Sequence, residues 1–140
     1  MLVMEKIVKI LLIEDDKLDQ IQVRRVLDQK GILYQLRVAA TGEDALQFLE
    51  TENHIEFDGN PDIILLDIDL PRLNGFEFLT QFRSKKKWDS IKVFVLSNSD
   101  QEKEKMNEIG VSGYIIKPLK LNNPSRDTIS FLIDLMNIYE

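Results

Sequence analysis

Apolar residues gather along this chain in short, dense runs: Ile7 to Ile13, Tyr34 to Val38, Ile63 to Leu66, Ile91 to Leu96, and Tyr114 to Ile116. A strand with one wet face alternates apolar and polar positions, but most of these runs are apolar almost continuously, as parallel strands covered on both faces are. The intervening stretches predict helices near 17–30, 43–51, 75–86, 101–109 and 125–139. In the third, Phe76, Leu79 and Phe82 share one face; in the fifth, Ile129, Leu132, Ile133 and Met136 do so, and this stripe is expected to face the core. Thr41 and Gly42 introduce the second helix, and Gly31 and Gly110 stand where C-terminal caps belong.

Strands alternating with helices imply right-handed crossovers and an α/β fold. The expectation is a flavodoxin-like, doubly wound, five-stranded parallel sheet of order 2-1-3-4-5 with five helices. At 140 residues, one domain over 1–140 is expected, with no room for an output domain. A polar loop runs from Glu52 to Pro61 and carries His54, read as a solvated residue. The fifth helix has more apolar residues than one buried face needs. Phe131, Leu135 and Ile138 form a second stripe about half a turn from the first, which predicts a symmetric homodimer through that face.

Composition narrows the setting. The chain is 44% apolar and 30% charged, with no run near the roughly 18 apolar residues of a membrane span. Lysines interrupt the opening MLVMEKIVKILLIEDD and acids end it, so it reads as a first strand and not a signal peptide. The absence of cysteine fits a cytoplasmic protein. A net charge of -6 disfavours nucleic acid, and the Lys85-Lys86-Lys87 cluster reads as a solvated helix end.

Ligands of open α/β sheets bind at the carboxyl ends of the strands. There the first strand ends in Glu14-Asp15-Asp16, the third in Asp67, the fourth in Ser97 and the fifth in Lys117-Pro118. Helix capping accounts for Asp16. It does not account for Asp67 opposite: two carboxylates about 4 Å apart repel by roughly 4 kcal/mol at an effective dielectric of ~20, and a third demands a counter-ion. Oxygen ligands without His or Cys point to magnesium or manganese, with magnesium preferred. Lys117 alone would be a surface lysine, but facing carboxylates it suits a phosphoryl oxygen, and Ser97 can donate to the same group.

LLIEDD, LLDIDLPRLNG, VFVLSNSD and GYIIKP, in that order and spacing, resemble the receiver domain of two-component response regulators over nearly the whole chain. The resemblance implies that Asp67 takes a phosphoryl group from a phosphohistidine on a histidine kinase. It implies that Glu14, Asp15 and Asp67 bind Mg2+, with the Asp69 backbone carbonyl completing the shell. It further implies that Ser97 and Lys117 bind phosphoryl oxygens, that Tyr114 changes rotamer in the switch, and that Lys117-Pro118 is cis. Output would pass through the surface of helix 4, strand 5 and helix 5. A narrower similarity, to small regulators paired with bacterial phytochromes, suggests a phytochrome-type kinase as partner. Glu14 stands where many members have Asp, Ser97 where Thr is common, and Asp69 adds a negative side chain beside the acceptor.

Three other readings compete. Asp67-Ile-Asp69 with Ser97 and Lys117 is similar to a phosphatase of the haloacid dehalogenase type, but no acidic motif closely follows Lys117. A flavin-binding protein needs a hydroxyl- and glycine-rich loop where three acids stand. A receiver fold used only for docking would show no magnesium dependence.

Overall fold

The computed structural model describes residues 6–51, 59–69 and 75–139. His54, most of its loop, and Leu70–Asn74 of the LLDIDLPRLNG motif lie outside the described residues.

The chain alternates β1 (Val8–Ile13), α1 (Lys17–Lys30), β2 (Tyr34–Ala39), α2 (Gly42–Glu50), β3 (Ile63–Asp67), α3 (Gly75–Arg83), β4 (Lys92–Ser97), α4 (Lys103–Ile109), β5 (Gly113–Ile116) and α5 (Arg126–Tyr139). All strand pairs are parallel in the order 2-1-3-4-5, as the sequence predicts. Residues of β1, β3 and β4 are buried on both faces, which is why their sequences do not alternate. Leu11, Ile13, Ile64, Leu66, Val93 and Val95 pack under α2, α3 and α4, while Ile10, Leu12, Leu65, Phe94 and Leu96 pack under α1 and α5.

Caps fix the helix ends. Asp16 accepts from the backbone N–H of Leu18 and Asp19 at 2.8 and 3.1 Å, and Thr41 accepts from Asp44 at 3.1 Å. Gly31 closes α1 in the left-handed region at φ 75°. The third helix ends at Arg83, short of the expected Lys86, and a 3-10 turn follows over Lys86–Trp88. The cause is visible at its end. Trp88 turns inward to stack on Phe82 at 5.2 Å, and Arg83 donates to the carbonyls of Gly110, Trp88 and Ile91. The three lysines there are exposed, and Lys87 pairs with Glu50 at 2.9 Å.

Helix α5 corrects the expected phase. Phe131 and Leu135, expected on an outward stripe, are fully buried, and Ile138 is partly buried against the same core. Ile129 and Ile133, expected inside, are 44% and 54% exposed. Two acids seven residues apart set the rotation. Asp127 accepts from the Tyr114 backbone N–H at 2.8 Å on the sheet edge, and Asp134 pairs with Lys92 at 3.0 Å. That leaves Phe131 pointing at Phe94, with the rings 5.3 Å apart and edge to face. A homodimer through Phe131, Leu135 and Ile138 is therefore excluded by the protein's own core.

Candidate phosphoacceptor and metal site

The parallel register carries the chemistry to one rim. Beyond β1, the Glu14 N–H still pairs with the Ala39 carbonyl at 2.9 Å, and beyond β5, the Lys117 N–H pairs with the Ser97 carbonyl at 2.7 Å. Glu14 and Lys117 are thus held by sheet bonds and not by free loops. Asp67 ends β3 between them, opposite Leu96 of β4. Gly75 sits behind the acceptor strand, where a Cβ would collide with the Ile68 Cα, so only glycine lets α3 start there. The Lys117–Pro118 bond is cis, as expected.

Ligand oxygens of Glu14, Asp15 and Asp67 lie within 4.8 Å of one another. Glu14 is fully buried, Asp67 is 3% exposed and Asp15 is exposed. Asp16, by contrast, is spent on the α1 cap. Glu14 Oε1 lies 3.0 Å from Lys117 Nζ, but no hydrogen bond satisfies it. Burial first, and then Asp67 alongside, push the Glu14 carboxyl up to about 8, against the opposing pull of Lys117. A buried, under-satisfied carboxylate oxygen among two further acids is a donor set suited to a hard divalent cation, so these residues fit one.

Lys117 Nζ reaches three carboxylates: Asp19 at 2.8 Å, Glu14 at 3.0 Å and Asp67 at 3.4 Å. Burial disfavours its charge, but the close contacts with Asp19 and Glu14 and the Asp67 charge outweigh burial and hold it protonated well above the usual lysine range. Asp19 was not singled out by sequence reasoning. One signal was present, since it is an acid in the first turn of α1, just after the Glu14-Asp15-Asp16 run.

Asp67 Oδ1 accepts from the Asp69 N–H at 2.9 Å, while the Asp69 side chain is exposed. Ser97 is buried beside the acceptor strand, and its Oγ accepts from the Ser99 N–H at 3.2 Å. The Tyr114 ring is buried, and its hydroxyl donates to the Ser99 carbonyl at 2.7 Å. Ser97 and Tyr114 thus hold the same short segment from its two ends. The structure brings together Glu14, Asp15, Asp67 and Lys117, and places Ser97 and Tyr114 around one loop next to them.

A cluster of acids with one lysine, at the carboxyl rim of a 2-1-3-4-5 sheet, defines a receiver-type signalling domain. The chain belongs to the response regulator receiver domain family, whose model matches residues 10–124. It is 33% identical over 116 residues to response regulator Rcp1 of Synechocystis sp., covering 81% of this chain and 79% of that one. The structure of bacteriophytochrome response regulator RtBRR is 33% identical with a TM-score of 0.74, covering 95% of this chain and 78% of that one. The Mn2+-bound form of Rcp1 is 28% identical with a TM-score of 0.70, covering 94% and 93%. The match spans less than half the length of several other curated relatives. Family membership favours the receiver reading over the phosphatase and flavin readings.

Proposed function

We propose that this protein is a phosphoacceptor of a two-component relay in which Asp67 receives a phosphoryl group from a phosphohistidine on a histidine kinase. The observation that carries the reading is the buried Asp67 carboxylate, set among Glu14, Asp15 and Lys117 on a receiver fold. A carboxylate oxygen of Asp67 would form the new P–O bond as the P–N bond breaks, its electron pair returning to the imidazole. Such transfer needs positioning and charge neutralisation more than covalent help.

Glu14, Asp15, Asp67 and the Asp69 backbone carbonyl would hold Mg2+, which when bound supplies the positive charge that lets one anion approach another. The presence of a Mn2+-bound form among the relatives supports a divalent ion of this kind. Lys117 and Ser97 bind phosphoryl oxygens, and the change at Ser97 reaches Tyr114 through the Ser99 segment they share. Output is a shift in the surface made by α4, β5 and α5. On that surface Ile116, Ile129 and Ile133 are exposed, and a second copy of this chain is the occupant we propose for it, at a cytoplasmic location. The likeness to bacteriophytochrome response regulators supports a phytochrome-type kinase as donor.

Intact mass after incubation with acetyl phosphate tests the reading. One added phosphoryl group is expected with Mg2+ and none in EDTA. Equal labelling in both, or none in either, would refute it.

A further inference from the structure

The shortest contact of Lys117 is to a carboxylate outside the metal cluster. Its Nζ is 2.8 Å from Asp19, against 3.0 Å and 3.4 Å to Glu14 and Asp67. The ammonium thus meets three acids, hydrogen-bonded to Asp19 and Asp67 and ion-paired with Glu14, and of these only Glu14 and Asp67 belong to the group able to hold a cation. We propose that Asp19 is a positioning residue that keeps the Lys117 ammonium at the rim when Glu14 and Asp67 turn to a divalent cation, leaving its other donors free for a phosphoryl oxygen.

The proposal rests on the metal site argued above. An ammonium and a divalent ion need the same oxygens, and like charges repel, so a lysine with no other partner must either compete with the cation or leave the site. Asp19 removes that conflict. Its carboxylate is well placed to do so, because its own N–H is tied to Asp16 in the α1 cap at 3.1 Å. One turn on, the Gln22 side chain donates to the Leu119 carbonyl at 2.9 Å, which fastens α1 to the segment that carries Lys117. The Asp19 side chain is 38% exposed while the Lys117 side chain is 11% exposed, so the cation-facing end is enclosed and the anchoring end reaches solvent. Asp19 touches Lys117 and acts on the chemistry only through it.

Mn2+ affinity, read from the loss of the free-ion paramagnetic signal, tests this in a double-mutant cycle of Asp19→Asn with Lys117→Met. Asparagine keeps the volume and an acceptor but not the charge. In the Lys117 background, Asp19→Asn is expected to weaken Mn2+ binding about fivefold, as befits a charge-assisted bond. In the Lys117→Met background, with no ammonium to hold, the loss should shrink to about twofold or less. Equal losses in both backgrounds would show a simple long-range charge effect, and no loss in the first would show that Asp19 is only part of the helix start; either overturns the proposal while leaving the metal site standing. A wild-type protein that binds no Mn2+ would remove the metal site itself and the proposal with it.

Discussion

At the residue scale, the site works by crowding charge. Asp15 and Asp16 are neighbours in sequence with different duties: one joins Glu14 and Asp67, the other accepts two backbone N–H groups at the start of α1. Asp15→Asn should therefore weaken Mg2+ binding by about tenfold or more, as loss of a ligating charge does, whereas Asp16→Asn should change it by less than about threefold. Calorimetric titration decides, and equal affinities in wild type and Asp15→Asn would contradict the assignment. Glu14 gives a pH signature. Its folded-state value near 8 exceeds its ordinary 4.5, so the folded form keeps a proton that the unfolded chain has already lost. In EDTA, this contribution is fully present below about 4.5 and is lost as pH rises through about 8, beyond which it is flat. Lys117 is charged in both states across that window and adds no slope. Thermal midpoints in EDTA should fall across the window, and Mg2+ should raise them more at its alkaline end; a midpoint that rises through the same range would contradict the Glu14 environment. Glu14, Asp67, Ser97 and Lys117 were legible in the sequence because each ends a buried apolar run, and strand ends converge in this topology. Asp19 was less so, because an acid in the first helical turn has an ordinary explanation in the helix dipole.

At the element scale, α5 shows where periodicity stops deciding. Its two apolar stripes are chemically alike, so the sequence admits either rotation. Asp127 on the Tyr114 N–H and Asp134 on Lys92 choose between them, and both are tertiary contacts with the sheet. Phe131→Ala, emptying a space against Phe94, should cost about 3–5 kcal/mol, and Ile133→Ala, more than half exposed, should stay within about 0.5 kcal/mol. Urea denaturation measures both, and a reversed order would restore the opposite phase. Arg83 and Trp88 similarly shorten α3 through contacts that no local pattern announces. The strands, by contrast, were readable to within a residue or so, since continuous burial leaves few options for apolar runs of that length.

At the scale of the whole molecule, the sheet order puts the acids, the lysine and the serine at one rim, with α4, β5 and α5 beside them. The exposed Ile116, Ile129 and Ile133 lie on that side. Ile133→Glu should weaken self-association at micromolar concentration by roughly tenfold or more, as a charge placed in an apolar contact does. Sedimentation velocity reads it, and monomers throughout, phosphorylated or not, would rule out the second copy as the occupant. The order 2-1-3-4-5 was foreseeable because right-handed crossovers leave few topologies for five parallel strands. The two hydrogen bonds by which Ser97 and Tyr114 hold Ser99, in contrast, are displayed only by the folded chain. The most direct test of the whole account locates the phosphoryl group itself. Borohydride reduction of the acetyl phosphate-treated protein, followed by peptide mapping, converts an aspartyl phosphate to homoserine. The account predicts that conversion at position 67, dependent on Mg2+ and absent from Asp67→Asn. Reduction at Asp15, Asp16 or Asp69 instead, or at no residue in a protein that has gained mass, would contradict it.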